Sequence, residues 1–162
     1  EAPYTKFYKD RGITATREET GKWYIEEILK YSDPPLTKGV IEVLKDLTKA
    51  GLVLGVVSTH GFLHLTKQLK KDSLISFFRL VVGDQEVKDI AITDFCGWFG
   101  FKPREVVFVG DLPSDIRDGN NAGVITIFFK GRFRVRMKYR ADYCIENLAE
   151  IMTILEQQGS VT

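Results

Sequence analysis

Glu105-Val-Val-Phe-Val-Gly-Asp-Leu-Pro-Ser-Asp115 constrains the fold more than any other stretch of the chain. Val106 to Val109 is β-branched and aromatic without polar alternation, the pattern of a strand buried on both faces in a parallel sheet covered by helices. The carboxylates of Asp111 and Asp115 then fall at the strand's carboxyl end, where open α/β sheets hold ligands in the crevice outside the strand ends. Gly110 leaves room for a close turn or a ligand, and Pro113 suits the first turn of a following helix. Two hard oxygen donors in such a place point to Mg²⁺, against the plainer reading of an acidic turn or a helix cap.

The rest of the chain supplies that sheet. Thr37 to Ala50 carries Val40, Val43, Leu44 and Leu47 on one helical face and ends at Gly51, and Leu52 to Val57 is a continuous apolar strand. A helix is expected over 61–71, a strand over 78–82, a helix over 89–99, and a helix over 114–122 closed by Gly123. Strands over 124–129 and 143–145 and a last helix over 148–157 complete the series. Strands alternating with crossover helices predict a three-layer α/β/α, Rossmann-like parallel sheet. No repeat or low-complexity segment interrupts it.

Residues 1–35 differ in character. Tyr4, Phe7 and Tyr8 recur at helical spacing, Gly12 closes that turn, and Thr16-Arg-Glu-Glu19 has the order of a capping box before a helix through Trp23, Ile25, Ile28 and Leu29. Asp33-Pro-Pro35 stops it, so a small helical piece, 1–35, precedes the main domain, 36–162. With 44% hydrophobic and 28% charged residues the chain can bury a core, and its net charge of +1 excludes no partner. No apolar run approaches the ~20 residues of a membrane span. Cys96 and Cys144 make neither a disulfide framework nor a zinc knuckle; two buried thiols in a reducing cytoplasm are expected.

Other polar residues fall at strand ends. Ser58 and Thr59 follow the strand ending at Val57, where hydroxyls and helix amides hold phosphate well, although such residues also serve as caps. Lys88 follows the strand 78–82, within reach of the same crevice. His60 and His64 lie one helical turn apart, but no third metal ligand accompanies them, and ordinary helix-start histidines are expected. Lys130 to Arg140 alternates basic and apolar residues; a solvated basic loop is expected there, with nucleic-acid binding only hinted at.

Taken together, Ser58, Lys88, Gly100-Phe-Lys-Pro-Arg-Glu-Val-Val-Phe-Val-Gly-Asp111, Asp115 and Asn121-Ala-Gly-Val124 resemble the haloacid dehalogenase-like hydrolase superfamily, in particular its phosphoglycolate-phosphatase-like members. The resemblance runs over about residues 36–150 and includes Ala141-Asp-Tyr-Cys-Ile-Glu-Asn-Leu148. It implies that Ser58, Thr59 and Lys88 bind the transferring phosphoryl group, that Asp111 is the direct Mg²⁺ ligand, and that Asp115 ligates the metal or orients its water. Thr59 stands where the family often has Asn. The family's first motif, an apolar strand followed by Asp-x-Asp-x-Thr that carries the nucleophile, has no counterpart in this chain, and residues 1–35 resemble part of the family's helical cap.

The expected whole is a Mg²⁺-dependent phosphatase acting on a small phosphorylated metabolite through an aspartyl-phosphate, with the nucleophile supplied by sequence upstream of Glu1. The 162 residues alone are then inactive, as a monomer or homodimer. The other class that fits is a non-catalytic phosphate- or nucleic-acid-binding module that has lost the motif. Because the family's first strand lies centrally, the strands ending at Val57 and Val109 are expected to flank an unfilled groove or a substitute segment.

Overall fold

The computed structural model describes residues 8–30, 35–131 and 136–159. The chain divides into two compact units, Glu1–Lys38 and Gly39–Thr162. In the first, helix α1 (Arg17–Lys30) starts at the capping box read from the sequence. The Thr16 N–H donates to Glu19 Oε2 at 2.8 Å and the Glu19 N–H donates to Thr16 Oγ1 at 3.2 Å, so two amides of the helix start are satisfied reciprocally. Tyr8 meets Trp23 edge to face, with ring centroids 5.4 Å apart. The expectations for Tyr4, Phe7 and Asp33-Pro34 lie outside the described residues.

The second unit runs α2 (Val40–Lys49), β1 (Gly55–Val57), α3 (Phe62–Lys71), β2 (Leu80–Val82), α4 (Asp89–Phe99), β3 (Val107–Gly110), α5 (Pro113–Asn121), β4 (Ile125–Phe129), β5 (Tyr143–Ile145) and α6 (Glu150–Gln157). Every strand pairing is parallel. Val43 and Leu47 of α2 and Ile151, Ile154 and Leu155 of α6 pack with Ile127 and Ile145, while Ile92 and Cys96 of α4 pack in a separate cluster with Val106 and Val124. A third cluster joins Leu44 of α2 to Leu65 and Leu69 of α3, over Val56 and Val81. The two faces of the strands are thus covered by different helices, the three-layer arrangement expected.

The groove expected between the strands ending at Val57 and Val109 is present. The strands do not form one continuous sheet; β1 pairs with β2, and β3, β4 and β5 form a second ladder in that order. Among the described residues no strand bridges β1 and β3. Between them runs an apolar groove of about 560 Å³ whose walls include Leu54, Val56, Phe95, Val107 and Val109. Hence Val107, Phe108 and Val109 are only half-buried, contrary to the reading of a strand buried on both faces, whereas Ile125 to Phe128 of β4, paired on both sides, are fully buried. The expectation of two buried thiols also needs correction. Cys96 is buried on α4, but Cys144 is exposed: it alternates with inward-facing Ile145 on β5, the sheet's edge strand.

The loops after β1 and β2 are laced together. The Ser58 N–H donates to the Val82 carbonyl at 2.9 Å, the Asp84 N–H to the His60 carbonyl at 2.8 Å, and the Gln85 N–H to the Ser58 carbonyl at 3.0 Å. Asp84 caps α3 from across the gap, its Oδ2 accepting the Phe62 N–H at 2.9 Å. Gly83 makes this crossing possible, because a Cβ there would lie 2.4 Å from Phe62 Cα and 2.8 Å from the His60 oxygen. Both obstacles are backbone or backbone-bound and cannot swing aside. Gly83→Ala is therefore expected to cost about 3 kcal/mol, read as a lowered midpoint in urea at unchanged slope; a loss under ~1 kcal/mol would mean that the two loops yield easily.

Candidate active site

Each candidate residue sits just beyond a strand. Ser58 and Thr59 follow β1, Lys88 ends the loop after β2 at the amino terminus of α4, and Asp111 and Asp115 follow β3. The Lys88 ammonium reaches Asp115 Oδ1 at 2.6 Å, with the two side chains 13% and 4% exposed. This bond joins the carboxyl end of β2 to that of β3, so both ladders present the same edge. The sequence expectation that Ser58 and Asp111 share an edge accords with it.

Asp115 is folded tightly into its turn. It is the third residue of α5, and its Oδ2 accepts the Leu112 N–H at 3.0 Å, capping its own helix. Its Cβ lies where a side chain on Gly110 would be, 2.2 Å from an ideal Cβ at that position. Gly110 is therefore required for close approach, as the sequence implied. Asp111, by contrast, is exposed at the rim, and Gly131 lies close enough that a Cβ there would touch Asp111 Oδ2 at 3.6 Å. Partial burial, and then the neighbouring Asp115 carboxylate, push the Asp111 carboxyl above its ordinary range.

Ser58 is held by its neighbours without using up its proton. Its Oγ accepts the His60 N–H at 3.1 Å, a contact in which the hydroxyl is the acceptor and its own O–H is not the donor. Thr59 is half-buried in the same loop. His60 and His64 meet edge to face at 5.8 Å, and burial, followed by the charges of His64 and Lys88, pushes the His60 imidazole below its ordinary range. Among the described residues no group of three or more His, Cys, Asp or Glu side chains is arranged to hold a metal ion.

A hard divalent cation fits part of this donor set. Asp111 offers a carboxylate raised in pKa by partial burial and then by a like charge, and a cation offsets both. Both oxygens of Asp115 are already engaged, by Lys88 and by the Leu112 amide, so Asp115 fits the role of orienting metal-bound water better than that of a direct ligand.

Asp118 is the functional candidate that sequence reasoning missed. It is 1% exposed, and its Oδ2 accepts the backbone N–H of Lys88 at 2.8 Å. Its Oδ1 takes the Arg117 guanidinium in a forked pair, Nε at 2.8 Å and the terminal nitrogen at 2.7 Å. An Asp three residues after Asp115 on one helix face was the available signal. Of the basic segment, Lys130 pairs with Glu146 at 2.9 Å, and Arg136, Lys138 and Arg140 are exposed; residues 132–135 lie outside the described part.

A parallel α/β domain with an acidic turn, a half-buried lysine and a serine loop along one edge is the arrangement of a known group of enzymes. The profile of the haloacid dehalogenase-like hydrolases matches residues 3–129, and the chain belongs to that family. Curated relatives that it matches are named as phosphatases, and the chain is of that hydrolase type of enzyme. It is 28% identical over 159 residues to a phosphoglycolate phosphatase of Pasteurella multocida, an alignment covering 93% of this chain and 70% of that enzyme. To the pyrophosphatase PpaX of Bacillus mycoides it is 29% identical over 127 residues, covering 73% and 59%. The crystal structure of a predicted phosphoglycolate phosphatase from Haemophilus somnus superposes with a TM-score of 0.75 at 22% identity, covering 93% of this chain and 73% of that one. No helix among the described residues is long and apolar enough to cross a membrane.

Proposed function

We propose that the protein is a Mg²⁺-dependent phosphomonoester hydrolase acting on a small phosphorylated metabolite in the cytoplasm. The observation that carries this reading is the Lys88–Asp115 pair beside Asp111, which sets a fixed cation next to one buried carboxylate and one at the rim. Lys88 and the Ser58 hydroxyl neutralise the equatorial oxygens of the transferring phosphoryl group as its charge redistributes. Asp111 holds the divalent ion, and Asp115 keeps the water and the lysine in register. The ion's contribution is to screen an anionic nucleophile from an anionic phosphate.

The attacking carboxylate comes from sequence outside residues 1–162, on a strand that enters the groove between β1 and β3; as it bonds to phosphorus the ester P–O bond breaks and the alcohol leaves with a proton, and water then hydrolyses the aspartyl-phosphate to inorganic phosphate and the free carboxylate. Phosphoglycolate and pyrophosphate, the substrates in the relatives' names, are the first compounds to try. Residues 1–35 form part of the cap that selects among them.

The reading is tested on the native reading frame extended upstream of Glu1, with p-nitrophenyl phosphate and Mg²⁺. The extended protein is expected to release phosphate, the 162-residue chain to release none, and Asp111→Asn to lose at least ~100-fold in kcat/KM together with Mg²⁺ affinity by calorimetry. Hydrolysis and Mg²⁺ binding untouched by Asp111→Asn would remove the metal role. An extension with no Asp-x-Asp-x-Thr and no turnover would return the chain to a binding module.

A further inference from the structure

We propose that Asp118 is a positioning residue for Lys88, and that Arg117 is what allows its carboxylate to be buried there. The inference rests on the reading of Lys88 as a phosphoryl ligand. Lys88 is gripped at both ends by one face of α5: its ammonium by Asp115 at 2.6 Å, and its backbone N–H by Asp118, three residues further on, at 2.8 Å. The origin and the tip of the lysine side chain are thus both referred to the helix that follows Asp111. Cation and acidic turn move as one body even though they belong to separate ladders.

A helix cap alone does not account for Asp118. One backbone amide at a helix start is satisfied equally well by a neutral oxygen or by water. Here it is held by a full carboxylate 1% exposed, a placement that is strongly unfavourable unless its charge is paired. Arg117 pairs it through the forked contact, and the guanidinium is in turn driven further into its charged form, by Asp118 first and then by Tyr139. The nearby Asn120 amide donates to the Arg140 carbonyl at 3.0 Å, fixing the segment that carries Tyr139. Arg117, Asp118 and the Lys88 backbone amide form one chain of contacts, and the ammonium carried by that backbone is where its rigidity is used.

The test compares Asp118→Ala, Asp118→Asn, Lys88→Ala and the double variant Asp118→Ala/Lys88→Ala in the upstream-extended protein, with inorganic phosphate as probe. Asp118→Ala is expected to weaken phosphate binding about tenfold, and to add nothing further when Lys88 is already alanine. Asp118→Asn, which keeps an oxygen for the Lys88 amide, is expected to bind within about threefold of the unmodified protein. Additive losses, or an equal loss in Asp118→Asn, overturn the proposal. Should Asp118→Ala not fold, Arg117→Leu/Asp118→Leu replaces the pair by apolar side chains and is read in the same way. If Lys88→Ala leaves phosphate binding intact, the phosphatase reading of Lys88 fails, and the ¹⁵N and ¹H resonances of the Lys88 ammonium decide the positioning claim separately: in Asp118→Ala their loss or averaging supports it, and unchanged resonances overturn it.

Discussion

Fusing an apolar strand to the amino terminus through a flexible linker, so that it can enter the groove between β1 and β3, is expected to raise the melting temperature by more than ~10 °C. Each apolar side chain it buries contributes about 1.5–3 kcal/mol, and ordering each residue costs about 1–2 kcal/mol, so these two terms nearly cancel. The gain comes from what the groove already exposes. The strand covers the half-buried Val56, Val107 and Val109 and pairs the free edges of β1 and β3. At about 1 kcal/mol per backbone hydrogen bond, roughly five bonds bring the net gain to about 5 kcal/mol. A strand of the same length with serine at the inward positions serves as control. A cooperative, concentration-independent melt of the 162-residue chain above ~50 °C without any added strand would show that the groove is no liability and that the missing-strand argument is wrong.

Lys88→Met is expected to lower stability by about 3 kcal/mol, by leaving Asp115 charged and 4% exposed with no cation beside it. The Leu112 amide still serves one of its oxygens, which keeps the loss at the low end for a broken buried pair. Adding Asp115→Asn removes the stranded charge, so the double variant is expected to recover part of the loss. A urea double-mutant cycle reads the coupling directly. A loss below ~1 kcal/mol would place Lys88 and Asp115 among ordinary surface pairs.

Strand ends were legible in the sequence because unbroken apolar runs stop at recognisable polar residues. Val57 gives way to Ser58, and Val109 to Gly110 and Asp111, and the structure sets both junctions at the rim. Strand lengths were less legible. Leu52 to Val57 reads as six residues of strand, yet only Gly55–Val57 pairs with β2, because ladders need partners and apolarity alone does not supply them. Asp118 was overlooked for a different reason, despite its place three residues after Asp115. Next to Arg117 on a helix it has the pattern of a solvated ion pair, and only the approach of the α4 terminus buries it. Asp84 is similar: its service to the Phe62 amide spans 22 residues, and nothing local announces it.

The groove bears on how such an enzyme can fail. On the proposed reading, the strand that closes the sheet also delivers the attacking carboxylate, so structural completion and chemical competence arrive in a single event. A protein built this way has no long-lived form that is folded but misfiring. Until the last strand docks it carries a charged, well-ordered rim with nothing to attack with, and a phosphorylated metabolite that wanders in leaves unchanged.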